Sequence, residues 1–181
     1  LSVTPAGAAN ASEARKPNII FILADDLGWG DLRVYGHPQM RTPNLDRLAQ
    51  QGTLFTQFYV NGSVCSPSRT AFMTGQYPGR HRVHGHFAAA ALNANRGMPN
   101  WLDPSVATLP RQLKSAGYAT AHFGKWHLGS GPGAPEPGAY GFDTYRVVNA
   151  NGPGWDQGEN EGHFRAKSTE LFVDETLKFL A

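Results

Sequence analysis

Asn18-Ile19-Ile20-Phe21-Ile22-Leu23-Ala24-Asp25-Asp26 sets a continuous apolar run directly against two adjacent acids. A short, unbroken, β-branched run predicts a strand buried on both faces, as in a parallel sheet with helices on either side. Asp25 and Asp26 end it, and Gly28-Trp29-Gly30 turns the chain away. In open α/β sheets ligands bind beyond the carboxyl ends of strands, so the two acids fall where a site is expected. Neighbouring carboxylates repel and stay ionised most easily beside a cation. Oxygen donors favour a hard ion, calcium or magnesium, over zinc. A structural turn or cap is the other reading of the same pair.

Working outward, Thr42-Pro43-Asn44-Leu45-Asp46-Arg47-Leu48-Ala49-Gln50-Gln51-Gly52 predicts a helix, with Thr42 as cap, Pro43 in the first turn and Gly52 as stop. Thr53 to Val60 follows as a second strand, so a right-handed crossover joins parallel strands. Val64-Cys65-Ser66-Pro67-Ser68-Arg69-Thr70-Ala71-Phe72-Met73-Thr74-Gly75 comes next and contains the only cysteine of 181 residues. Pro67 marks the start of a helix and Gly75 its end. A side chain at such a helix mouth feels unpaired backbone N–H groups, which suits a nucleophile or an anion. Further on, Leu109 to Gly117 predicts a helix and Tyr118 to Phe123 a strand, which runs into Gly124-Lys125-Trp126-His127-Leu128-Gly129. Ser168 to Leu180 predicts a capped amphipathic helix with an apolar face of Phe172, Val173, Thr176, Leu177 and Leu180.

Composition excludes several classes. Hydrophobic residues at 40% and charged residues at 17% describe a soluble globular chain, and no apolar run is long enough to span a membrane. A net charge of +2 gives no electrostatic case for nucleic acid. Glycine (21) and proline (13) predict long shaped loops. Residues 1–16, small and polar, read as a flexible mature N-terminus or an expression remnant, and 17–181 as the folded part. Asn10-Ala11-Ser12 and Asn61-Gly62-Ser63 match the N-glycosylation pattern by chance.

Cys65-Ser66-Pro67-Ser68-Arg69 with Thr74-Gly75, then Gly124-Lys125-Trp126-His127-Leu128-Gly129 and Gly141-Phe142-Asp143, resemble in order the signatures of the type I sulfatases. The resemblance implies an α/β, alkaline-phosphatase-like fold: a mostly parallel sheet flanked by helices, of which residues 17–181 form the N-terminal portion of the catalytic domain. It implies that Cys65 is converted to formylglycine by a maturation enzyme, and that the hydrated aldehyde is the nucleophile. Asp25, Asp26 and the modified Cys65 would be metal ligands, with calcium the expected ion and magnesium an option. Arg69 would orient the nucleophile, Lys125 would bind the substrate sulfate, and His127 would hold the hydrate. The expected activity is hydrolysis of sulfate esters, of a sulfated carbohydrate, by a secreted, periplasmic or lysosomal protein. Later ligands of the family have no counterpart here, so the metal shell is expected to be completed by the remaining part of a sulfatase chain, and an apolar surface to be exposed.

Gln76 to Phe87 is dense in bases: Arg80, His81, Arg82, His84 and His86. A solvated basic loop is one reading. The other is a pocket wall in which Arg82, His84 or His86 binds anionic substrate groups, His84 and His86 foremost. The alternatives to a sulfatase are a phosphonate or phosphate monoester hydrolase of the same superfamily and a non-catalytic module that retains sulfated glycans. Asn149 to Gly152 and Trp155-Asp156 read as polar loop.

Overall fold

The computed structural model describes residues 16–129, 131–148 and 161–181, the side chains of 161–166 excepted. The expectations for residues 1–15, for Asn149 to Gly152 and for Trp155-Asp156 lie outside that range. Helices α1 (Pro43–Gln51), α2 (Cys65–Thr74), α3 (Ala90–Asn95), α4 (Leu109–Ser115) and α5 (Glu161–Leu180) accompany strands β1 (Ala121–Lys125) and β2 (Thr144–Val148). The two strands pair in parallel, from Ala121 opposite Thr144 to Lys125 opposite Val148.

The core lies between α2, the chain after β1 and the intervening loops. Met73, Val83, Phe87, Met98, Leu102, Trp126, Leu128 and Tyr140 form it. Trp126 meets Tyr140 edge-on at 5.1 Å, and the Tyr140 hydroxyl donates to the Leu102 carbonyl at 2.6 Å. Helix α2 starts at Cys65, with Pro67 inside its first turn, and stops at Gly75, whose φ of 67° suits a residue without Cβ. Its buried residues include Ser66, Arg69 and Thr70 beside Ala71 and Met73, so the helix presents polar groups inward. Gly129 bridges Trp101; a Cβ there would stand 2.7 Å from the Trp101 Cβ, so only glycine lets the two backbones meet.

Three expectations need correction. Residues 18–24 and 53–60 form no strand: among the described residues no ladder pairs with either, and Ile22, Phe58 and Tyr59 are 83%, 71% and 78% exposed. An apolar run predicts burial, but a strand also requires a hydrogen-bonded neighbour, and the parallel pair here is made by later segments. Phe21 does rest on Phe72 of α2 at 5.0 Å between rings, which ties the first run to the helix.

The second correction moves a strand. β1 begins at Ala121 rather than Tyr118 and carries Lys125 as its last residue instead of leaving it beyond the end. Tyr118 N–H is retained by the Leu113 carbonyl at the end of α4, and Thr120 is held by Gly141 and Asp143. The Gly141-Phe142-Asp143 run therefore aligns β2 against β1.

The third concerns α5, which starts seven residues before Ser168, so Ser168 is no cap. Phe172 packs over Gly124 and Phe179 meets Phe123, while Val173, Leu177 and Leu180 of the expected face stay exposed. No helix of the described residues is long and apolar enough to cross a membrane.

Candidate active site

Three segments far apart in sequence meet at the first turn of α2. The turn after residue 24 brings Asp25 and Asp26, α2 brings Cys65 and Arg69, and the end of β1 brings Lys125 and His127. Asp25 Oδ1 accepts from Arg69 Nη2 at 3.0 Å, and its Oδ2 accepts from Lys125 Nζ at 2.6 Å. Lys125 Nζ also donates to Cys65 Sγ at 3.2 Å, so one ammonium bridges acid and thiol. Arg69, only 4% exposed, sends Nη1 to the Lys125 carbonyl, which fixes the backbone that carries the lysine.

Burial pushes the Asp25 carboxyl up, but hydrogen bonds and charge from Lys125 and Arg69 outweigh it and hold the group below its ordinary value. Asp25 is therefore ionised at neutral pH. Asp26 adopts φ 59°, a left-handed conformation that Asp tolerates better than most residues, and its carboxylate, that of Asp25 and Cys65 Sγ all lie within 4.8 Å of one another. His127 also has a positive φ, 51°. Such backbone is costly; of the three non-glycine residues that adopt it among the described residues, Asp26 and His127 flank this cluster and the third is Arg82.

The donor chemistry fits a hard cation in part. Two carboxylates suit calcium or magnesium, whereas a thiol sulfur does not; exchanging that sulfur for oxygen makes the trio all-oxygen. Three donors fall short of the six to eight that calcium takes, so these residues make one side of a shell.

His127 is 4% exposed, and its Nε2 lies 3.1 Å from the Phe87 carbonyl. A carbonyl only accepts, so Nε2 carries the proton and Nδ1 is left with a lone pair. That Nδ1 is buried without a protein partner. Burial keeps the ring from charging, and the nearby Lys125, Arg69 and His86 act the same way against the hydrogen bond to Phe87. A neutral imidazole with a bare, buried nitrogen is a proton acceptor in search of a hydroxyl.

Two residues of the site carried no individual signal in the sequence. Ser66 is fully buried, donates to the His127 carbonyl at 2.8 Å and accepts from Phe87 N–H at 3.0 Å. It ties the first turn of α2 to the strained histidine and to the 86–87 loop. Asn93 clamps both backbone groups of Ala88 and so holds the far end of that loop. Of the two expected pocket histidines, the structure brings in one. The His86 ring lies 6.0 Å from that of His127, whereas His84 is exposed and makes no hydrogen bond, ion pair or ring contact with the cluster.

Behind the site, His122 packs between Trp126 and Phe142, and its Nε2 faces the Lys125 carbonyl at 3.2 Å. Burial depresses its pKa from 6.5 to about 4, against the pull of that carbonyl. The unfolded chain therefore binds this proton first. The associated stability is complete above pH 6.5 and is lost as pH falls toward 4, amounting to about 2 kcal/mol after allowance for partial exposure. Thermal unfolding from pH 7 to 4.5 should show the decline, and His122→Gln should flatten it; an unchanged slope in the variant would assign the decline elsewhere.

Comparison with known proteins bears on what such a cluster does. The family model described as Sulfatase matches residues 17–181. N-acetylgalactosamine-6-sulfatase of Rattus norvegicus is 37% identical over 202 residues, covering 96% of this chain and 38% of its own length. Steryl-sulfatase of Mus musculus is 46% identical over 155 residues, covering 82% of this chain and 24% of its own. A solved structure of a protein in complex with its substrate D-glucosamine-2-N,6-O-disulfate superposes with a TM-score of 0.58 at 31% identity, covering 80% of this chain and 24% of that one. The chain thus spans between a quarter and two fifths of the length of these relatives.

Proposed function

Because this chain belongs to the sulfatase family, we propose that it is the N-terminal part of an enzyme that hydrolyses sulfate esters of a sulfated carbohydrate through a formylglycine made from Cys65. Its fold is the alkaline-phosphatase-like α/β fold of its structural neighbours, seen here as a parallel pair with flanking helices. The observation that carries the proposal is the bridging ammonium: Lys125 reaches both Cys65 and Asp25, with Arg69 behind it.

On this reading each group has a task. Conversion of Cys65 is a two-electron oxidation by a separate maturation enzyme whose oxidant accepts the two electrons, while sulfur leaves at the sulfide level and an oxygen takes its place as the carbonyl. Its hydrate supplies a hydroxyl for attack on sulfur and a second hydroxyl for release of the sulfated group. Asp25, Asp26 and the modified side chain would form one side of a calcium site, and such an ion would supply positive charge beside the hydrate. Lys125 neutralises the ester sulfate where charge gathers in the transition state. His127, neutral and protonated on Nε2, takes a hydroxyl proton at Nδ1. The N–H groups of the first turn of α2 add a fixed positive field at Cys65. Arg69 holds Asp25 and the Lys125 backbone in register.

The remaining ligands come from further sulfatase sequence, and the exposed runs at 18–24 and 53–60 are its seat. Residues 1–16 precede the domain. The carbohydrate substrate is favoured by the relatives named for, or solved with, sulfated amino sugars, and it makes export the natural setting. Turnover of a 6-O-sulfated amino sugar, 4-nitrophenyl sulfate and 4-nitrophenyl phosphate tests the reading. Sulfate esters should be cleaved faster than the phosphate. A faster phosphate reaction would replace the proposal with the monoester hydrolase, and binding of the sugar without any cleavage would leave a glycan-retaining module.

A further inference from the structure

His86 lies beside His127, and Arg96 reaches the backbone of His86. The His86 ring is 6.0 Å from that of His127 and is exposed, whereas His127 is buried, so His86 is the outer of the pair. Arg96, at the C-terminal cap of α3, turns back along the loop, and its Nη1 donates to the His86 carbonyl at 3.2 Å. The same nitrogen would lie 3.5 Å from a Cβ at Gly85, an ordinary contact distance, so the guanidinium runs close along the Gly85 backbone. Asn93 fixes Ala88 from the other side. Two bases are thereby held by backbone contacts rather than by acids: no carboxylate pairs with either among the described residues. A guanidinium has five donors in a planar fork, and this one spends a single one on His86.

Solvated surface bases are common and bind nothing. These two differ in being fixed to one loop that also supplies the Phe87 carbonyl to His127. The exposed His86 ring stands beside the buried His127, so a sugar whose sulfate reached His127 would have His86 within range of its next group. From this juxtaposition we infer that His86 and Arg96 form a subsite for a second anionic group of the substrate, a carboxylate or a further sulfate, so that the protein selects polyanionic saccharides over simple monosulfates. The inference rests on the sulfatase reading and names the substrate class within it.

The test uses the formylglycine-bearing full-length enzyme and the variants His86→Ala, Arg96→Lys and Arg96→Gln. Three probes are compared: 4-nitrophenyl sulfate, D-glucosamine-2-N,6-O-disulfate, and a 6-O-monosulfated disaccharide containing a uronic acid. Loss of one charge-assisted hydrogen bond should raise KM about 10-fold or more for a dianionic probe in Arg96→Gln, with 4-nitrophenyl sulfate changed less than about 2-fold; in His86→Ala, whose ring also neighbours His127, the loss on a dianionic probe should exceed that on 4-nitrophenyl sulfate by about 10-fold. Arg96→Lys, which keeps the charge, should recover part of the loss. A loss confined to the disulfate identifies a sulfate subsite, and one confined to the uronic acid a carboxylate subsite. Equal losses on all three probes, or none, would overturn the inference. Equilibrium binding of the same sugars is measured in parallel. If the wild type cleaves no probe, the sulfatase reading fails on that result alone, while a dianion preference in binding that vanishes in His86→Ala would still support the subsite and its absence would refute it.

Discussion

Cys65→Ala should lower kcat/KM on a sulfate ester by at least about 10³-fold while leaving the melting temperature close to that of the wild type. The thiol contributes little to the fold: it is half-buried, and among the described residues its hydrogen bond is the donation from Lys125, which keeps Asp25 as a partner. Its place in the chemistry is different, since Lys125, Asp25 and Asp26 all converge on it. Cys65→Ser sharpens the point. A serine hydroxyl can attack sulfur but has no second hydroxyl on the same carbon, so the sulfated enzyme has no route to expel its sulfate. That variant should give at most one equivalent of released alcohol and then stop. Sustained turnover by either variant, measured with the leaving group as readout, would remove Cys65 from the reaction.

Arg69→Ala should combine loss of stability with loss of rate. The guanidinium is 4% exposed and holds Asp25 Oδ1 and the Lys125 carbonyl. Its removal leaves Asp25 bonded to Lys125 and takes one donor away from the Lys125 carbonyl. Breaking a buried pair from one side costs about 3 kcal/mol, at the lower end of the usual range because Asp25 is partly exposed. In a chain of this size that is on the order of 10 °C in melting temperature. With Lys125 and Asp25 both less well held, kcat should fall about 10²-fold or more even where folding is complete. Arg69→Lys can reach one acceptor but not both, so it should recover less than half of either loss. Wild-type kcat in a folded Arg69→Ala enzyme would show that the ion pair serves the fold alone.

Much of this site was legible before any coordinates. Cys65, Arg69, Lys125 and His127 stand out because their runs resemble the signatures of a known family; Arg69 and Lys125 bond to Asp25, Lys125 also bonds to Cys65, and the His127 carbonyl accepts from Ser66 beside that cysteine. The Gly-Lys-Trp-His-Leu-Gly run explains itself once seen. Trp126 and Leu128 enter the core, while Lys125 reaches Cys65 and His127, on its left-handed backbone, reaches the Phe87 carbonyl. What escaped the sequence is long-range. Ser66 looked like a spacer between Cys65 and Pro67, yet its hydroxyl joins segments 21 and 61 residues away. His84 and His86 are equivalent in composition, and only the path of the loop brings one of them to His127. Arg96 lies in an aperiodic stretch and becomes relevant because α3 ends where the guanidinium can fold back. The apolar runs at 18–24 and 53–60 failed as strands for a related reason: hydrophobicity reports a demand for burial, and pairing depends on segments elsewhere.

The central claim is that the oxidised side chain of Cys65, beside Asp25, Asp26 and Lys125, performs the attack. Its most direct test is the mass of the peptide containing Cys65, read together with specific activity across preparations made with and without a formylglycine-generating enzyme. The account predicts a peptide in which one oxygen has replaced sulfur and two hydrogens, in a fraction that tracks the turnover of the sulfate ester. Full turnover by protein whose Cys65 remains a free thiol would contradict it.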